Sequence, residues 1–499
     1  MTARVPAGTP GLGWLGIARL GLVQACLGAI VVLTTSTLNR VMVVELALPA
    51  LLPGLLVGLH YALQVLRPRM GYGSDVGGRR TPWIVGGMGV LALGGSTASV
   101  ATAWMAAQPS VVSWPGIALA ALGFLLIGLG VSACGTALLT LLAKQVAPER
   151  RAPAATLVWI MMIMGFAITA GSAGALLDPF SPSRLVAVTS GVCALAFVVT
   201  ALAITGVEHV GAKPAADTDA PRASFMEALR EVWAEPTARR FTVFVFVSML
   251  AYSSQDLILE PFAGTAFGFT PGESTKLAGV QHSGVLAGML LVAAVGGWQA
   301  RRAKASALSQ GLVHSPQQAA NLAAQALLPW IVWGCLASAV ALLGLVAAGL
   351  VGPGWPLKPT VWFMGAANGA FSIAAIGSMM SFAGGDANDP AQGTQAPREG
   401  TRMGLWGASQ AIAFGIGGLA GSAASDVSRW VLGNNGQAYA VVFAAEAALF
   451  VLAAVLMLRV GTRTAAPSTP RPSPTPHHHT PPAEAAAQGA PNGPSHAHA

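Results

Sequence analysis

Few side chains in this sequence could do chemistry, and those few sit at the ends of long apolar stretches. Arg40 and Glu45 follow the first stretch in "STLNRVMVVE", and Asp256 and Glu260 fall in the outer end of the seventh in "SSQDLILE". A charge carried into lipid costs about 2.5–3.5 kcal/mol on insertion scales, so such groups face protein or a wet cavity and find partners. An Arg40–Asp256 ion pair is one expectation; interfacial, solvated Arg40 and Glu45 are the other. His60 and His282 form a second set, each 19 residues before an Arg-Arg pair, Arg79-Arg80 and Arg301-Arg302. A neutral imidazole can ligate a metal centre through one ring nitrogen or hydrogen-bond across helices. No catalytic residues and no metal site are expected. No helix carries the Asp-x-x-x-Asp pair that magnesium-pyrophosphate chemistry needs, and Asp386 and Asp389 fall in a glycine-rich loop. His477, His478 and His479 have no Cys or carboxylate at ligand spacing.

The elements that position these residues follow from composition. Of 499 residues, 54% are hydrophobic and 9% charged, against roughly 25% charged in an ordinary soluble domain. The chain therefore reads as all-α and embedded in a lipid bilayer, with twelve windows long enough to cross it. They are 19–38, 50–66, 82–105, 115–142, 154–176, 185–206, 241–263, 276–298, 326–350, 357–383, 404–424 and 438–459. The first follows a short Pro/Gly-rich leader and is as long as those after it, so it reads as a retained helix, not a cleaved signal. Cys26, Cys134, Cys193 and Cys335 all fall within spans, as small apolar residues. The formal net charge is +8, which taken alone would suggest nucleic acid. Threaded through twelve spans, however, only Arg40, Arg184, Lys276, Lys358 and Arg429 of the 27 Lys and Arg fall on one side. That asymmetry is the positive-inside signature; it places both termini in the cytoplasm and argues against nucleic acid as a partner.

Charge density divides the chain. Residues 1–18 form a cytoplasmic leader and 19–206 a first set of six spans. Residues 207–240 are a cytoplasmic linker with a short amphipathic helix around Phe225, Ala228, Leu229 and Val232. A second set of six spans fills 241–459, and 460–499 is a Pro/Ala/His-rich tail expected to be disordered. The two sets echo each other in the His-to-Arg-Arg spacing, in the polar ends of their first helices, and in "AGSA" at 170–173 and 420–423. The expected architecture is two parallel six-helix repeats, with Arg40 and Asp256 facing across them.

In "RMGYGSDVGGRRTPW" (69–83), Gly71, Asp75, Gly78, Arg79 and Arg80 fit G-x-x-x-D-x-x-G-R-R. The pattern resembles the loop between the second and third helices of the major facilitator superfamily, which implies that superfamily's twelve-helix fold as two six-helix bundles. It also implies a conformational latch at these five residues. Val76 stands where the family has a basic residue, and the second-half counterpart "AVGGWQARRAK" has Gly297 where an Asp is expected. More narrowly, "TSTLNRVMVVELALPALLPGLLVGLHYALQVLRPRMGYGSDVGGRRTPWI" and "SSQDLILEPFAG" resemble the PucC and LhaA family of phototrophic bacteria, the bacteriochlorophyll-delivery branch, over about residues 15–460. This resemblance implies bacteriochlorophyll as cargo, light-harvesting antenna polypeptides as partners and the inner photosynthetic membrane as location. His60 and His282 become candidates to ligate the pigment's magnesium, with buried hydrogen-bonded histidines as the alternative. A proton-coupled transporter of a small solute is the other reading of function. Trp159, Met161, Met162, Met164 and Phe166 read as helix packing, and Glu446 as a contact to a partner helix.

Overall fold

The computed structural model describes residues 12–67, 79–107, 113–146, 148–208, 230, 233–311, 316–382 and 399–464. Twelve long helices run through them: α1 (Trp14–Glu45), α2 (Leu51–Ala62, prolonged by a 3-10 turn at Leu63–Leu66), α3 (Thr81–Ala106), α4 (Trp114–Gln145), α5 (Pro148–Leu177) and α6 (Pro182–Ile204), then α7 (Pro236–Phe267), α8 (Pro271–Ser309), α9 (Pro316–Val351), α10 (Leu357–Phe382), α11 (Glu399–Leu432) and α12 (Asn435–Thr464). Ten of them are long and apolar enough to cross a membrane; α2 is short and α11 is diluted by glycine. Each expected span falls on one helix, so the all-α membrane fold stands. Phe225, Ala228, Leu229 and Val232 of the expected amphipathic helix and the tail beyond 464 lie outside the described residues.

Local sequence sets the helix ends. Thr270 and Glu273 open α8 as a capping box: Thr270 Oγ1 accepts from Glu273 N at 3.1 Å, and Glu273 Oε2 accepts from Thr270 N at 2.9 Å. Pro271 occupies the first turn, where its missing N–H costs nothing. Ser113 and Ser181 cap α4 and α6 through their hydroxyls, which accept from Gly116 N and Arg184 N, with a proline in each first turn. Gly268, at φ 71°, ends α7 in the left-handed region that glycine enters without strain.

One helix outruns its expected end. α1 passes through two π-helical segments, Leu33–Thr37 and Val41–Glu45. The polar run that seemed to close a span at residue 38 therefore stays helical to Glu45.

Buried side chains gather in two cores. One draws on α1 to α6 and admits Leu257 from α7; the other draws on α7 to α12 and admits Met162 and Ile163 from α5. The halves meet where α1 packs on α7, α2 on α11, and α5 on α8. Here the AGSA echo finds its cause, because both copies lie on these seams. A Cβ added to Gly279 of α8 would come within 3.0 Å of Gly171 N, and one added to Gly54 of α2 within 2.7 Å of Ser422 Oγ. Small residues allow such approach in lipid, where packing and not hydrophobic exclusion holds helices together. At Gly174 a Cβ would sit 2.7 Å from Gly272 O and 2.8 Å from Lys276 N, both backbone atoms that cannot swing aside. Gly174→Val is expected to destabilise the α5–α8 seam by about 1–3 kcal/mol, seen as a lower thermal unfolding temperature in detergent, whereas Gly171→Ala, which meets open space, leaves it within error.

Candidate inter-half polar site

Arg40 is the fixed point of the seam. Its side chain is 1% exposed, which rules out the solvated alternative. The expected pair with Asp256 does not form. Arg40 Nη1 donates to Glu45 Oε1 at 2.5 Å and Nη2 donates to Phe269 O, just beyond α7, at 2.5 Å. The cause is the second π segment: a π turn brings residues five apart onto one side of the helix, so Glu45 reaches back to Arg40. Glu45 itself is 35% exposed, and the pair straddles the boundary between core and solvent.

Around it α1 is stitched to the second half. Asn39 Nδ2 donates to Leu257 O at 2.6 Å, and Thr37 Oγ1 lies 3.1 Å from Thr275 Oγ1. Thr275 also reaches Glu260 Oε2 at 3.4 Å, and the Arg40 charge acts on Glu260. Asp256 turns elsewhere, accepting from Gln281 Nε2 of α8 at 3.0 Å. It faces a cavity of about 20 Å³ lined by Thr35, Val57, Tyr61, Ser253, Leu257, Phe414 and Gly418, room for about one water. Tyr61 and Phe414 of its lining pack on each other at 5.4 Å between ring centres, and Tyr252 packs on Phe414 at 5.9 Å.

The two histidines take equivalent places within helix packing. His60 is 2% exposed, with Nε2 3.3 Å from Gln64 Nε2 and Nδ1 unpartnered. His282 is 5% exposed, its Nδ1 2.8 Å from Ala278 O and its ring edge-on to Phe166. From the Trp159–Phe166 run, Met162 accepts from Gln24 Nε2 and lies in the second core, as packing. Glu446 does not face outward to a partner: it is 2% exposed, inside the second half.

At the face where α1 begins and α12 ends, Gly71, Asp75 and Gly78 lie outside the described residues. Arg79 and Arg80 lead into α3, whose first amides are taken by Glu208 beyond α6. Glu208 Oε1 accepts from Arg80 N at 2.6 Å, and Oε2 from Thr81 N at 2.9 Å and Thr81 Oγ1 at 2.6 Å. Burial works against the Glu208 carboxylate, but these bonds and the Arg80 charge outweigh it and hold its pKa below the ordinary glutamate value.

At the opposite, distal face two acids clasp the halves. Asp178, at the end of α5, accepts from Thr270 Oγ1 at 2.9 Å and from Lys276 Nζ at 3.2 Å, both at the start of α8. Asp426, near the end of α11, accepts from Ala50 N at 3.0 Å and Leu51 N at 2.7 Å, at the start of α2. The clasps are repeat equivalents on opposite seams. Sequence reasoning missed both, and Glu208; the available signal was an acid following AGSA by a few residues in each half.

This is the architecture of a major-facilitator-type transporter. Among solved structures, a bacterial homologue of the human lysosomal transporter Spinster, inward-facing and unoccupied, aligns with TM-score 0.60 at 16% identity, covering 90% of this chain and 96% of that one. A bacterial homologue of the human drug peptide transporters PepT1 and PepT2 aligns with TM-score 0.58 at 14% identity over 90% of this chain and 98% of that one. Within that fold the chain belongs to the PucC family: residues 37–315 and 311–465 match the PUCC protein family. The bacteriochlorophyll synthase 44.5 kDa chain of Rhodobacter capsulatus is 49% identical over 446 residues, 89% of this chain and 95% of the relative. Protein PucC of the same organism is 29% identical over 466 residues, 90% of this chain and 93% of the relative.

Two outcomes follow from the two faces. At neutral pH, Glu208→Gln is expected to lower stability by about 0.5–1 kcal/mol, after allowance for solvent screening. Because the folded pKa is depressed, the wild-type advantage is complete above the unfolded glutamate value of about 4.3 and disappears as pH falls through the folded one; denaturant midpoints at pH 7 and pH 3.5 check this. At about 1 kcal/mol net per hydrogen bond, Asp178→Asn with Asp426→Asn is expected to open the distal face. In a background with the native cysteines replaced by serine, a cysteine at Ala278 should then react at least about tenfold faster with an impermeant maleimide added on that side.

Proposed function

We propose that this chain is a membrane carrier or assembly factor that handles bacteriochlorophyll and delivers it to light-harvesting polypeptides in the inner photosynthetic membrane, with both termini cytoplasmic. The observation that carries the reading is the PucC-family match along both halves; one relative named for bacteriochlorophyll synthesis supports a photosynthesis-related role at the coarser level. A pigment with a long apolar tail needs a lipid-depth surface between moving halves, and a two-bundle fold supplies one. Within the first half, between α3 and α4, an apolar groove of about 360 Å³ lined by Pro82, Trp83, Gly86, Gly87, Val90, Leu129 and Ala133 has the character a hydrocarbon tail prefers. PucC membership and a transporter fold favour handling of the pigment over its synthesis, despite the word synthase in one relative's name.

Within this reading both histidines can ligate the pigment: Nδ1 of His60 is unpartnered, and the bond from His282 Nδ1 to Ala278 O leaves its Nε2 as the free base. The Gly71, Asp75, Gly78, Arg79 and Arg80 loop serves as the cytoplasmic latch, and Arg40 with Glu45 and Glu260 holds the distal seam. The test is purification of the full chain from photosynthetic membranes, with absorption spectra and identification of co-purifying polypeptides. Bacteriochlorophyll bands together with antenna subunits are expected, red-region bands shifting in His60→Ala or His282→Ala. A colourless protein that moves a small solute in vesicles overturns the proposal.

A further inference from the structure

Helix α7 turns two polar residues in two directions. Asp256 faces the small cavity between the halves. Gln255 is fully buried, and neither atom of its side-chain amide has a hydrogen-bond partner. It lies seven residues, about two turns, before Phe262 and so on the same side of α7. Phe262 packs on Tyr439 and Phe443 of α12, at 5.5 and 5.2 Å between ring centres. Glu446 continues that side of α12, one turn beyond Phe443. Its carboxyl is 2% exposed, both oxygens lack partners, and the Asp256 charge reaches it. A carboxylate stripped of water and unpaired costs several kcal/mol, so an acid in this place carries its proton.

The surrounding charges do not relieve it. On α1, Arg40 is engaged by Glu45 and acts on Glu260. On α2, Tyr61 feels Asp256, and His60 and Tyr61 feel Arg67 at the terminal end of that helix. Tyr252 of α7 also feels Asp256. On α8, Lys276 is bound to Asp178 and His282 to Ala278 O. On α11, Arg429 is paired with Asp426 and lies 5.9 Å from the Tyr439 ring of α12. Helix α9 holds no charged residue, and Lys358 stands at the exposed end of α10.

We propose that Asp256 and Glu446 form a proton-binding site, Asp256 the acid that meets the cavity and takes a hydrogen bond from Gln281, and Glu446 the acid stored behind it. A hydronium ion in the cavity gives its proton to the Asp256 carboxylate and leaves as water. Charge on Asp256 and charge on Glu446 oppose each other, so the two acids load and release protons as a pair. The site goes beyond cargo identity and stands whichever molecule the carrier moves.

Infrared titration of the full chain in lipid nanodiscs, with carbon-13 glutamate, tests the pair. The expected result is an un-ionised Glu446 carbonyl band at neutral pH, removed by Glu446→Gln, whose titration midpoint moves toward acid by on the order of one pH unit in Asp256→Asn. Glu446→Asp, which keeps the acid and shortens it, should displace the band instead of removing it and serves if Glu446→Gln does not assemble. A Glu446 that is ionised at neutral pH, or a midpoint unmoved by Asp256→Asn, overturns the proposal.

Discussion

A guanidinium with almost no exposure, held between a carboxylate on its own helix and a carbonyl beyond another, is the constraint around which this protein is arranged. An arginine cannot shed its charge, so Arg40 must keep its partners as long as it stays at that depth. Glu45 supplies one from the first half and Phe269 the other from the second. The bond to Phe269 makes α1 and α7 a joint, and Asn39 and Thr37 extend it with neutral hydrogen bonds to Leu257 and Thr275. The polar residues in an otherwise greasy chain are thus concentrated where the halves touch.

That concentration explains what the sequence reveals. Twelve apolar stretches locate twelve helices because a helix satisfies all its backbone groups within one segment in lipid, and the doubled motifs locate the halves. Partner choice was less legible. Arg40 and Asp256 stand at matching ends of facing helices, which suggests a bond between them; the π turn that hands Arg40 to Glu45 leaves no trace in residue pattern. Glu446 misled for a related reason: helix α12 is apolar on every side, so composition does not say which side is buried. The acids at 178 and 426 were visible as residues, but their worth depends on the first turns of α8 and α2, which lie 92 and more than 370 positions away in the chain.

The two halves solve the same problem with different atoms. One clasp takes a hydroxyl and an ammonium group, the other two backbone amides. Equivalent position with unlike chemistry is what divergence after duplication leaves behind, since only the geometry of the seam must be kept. One seam is thus crossed by a lysine, while at the other the charge partner of Asp426, Arg429, stays on the same helix and only backbone amides cross.

The interrupted helix α1 carries a last consequence. Before Leu33 it rests on α5 and α6, with Arg19 bonded to Ala203 O and Gln24 to Met162; after it, the same rod leans on α7 and α8. Regular winding would carry one stripe straight along the rod and oblige it to choose a single set of neighbours. Each wide turn slips that stripe sideways, a phase jump that lets one continuous helix belong to its own bundle at one end and to the opposite bundle at the other.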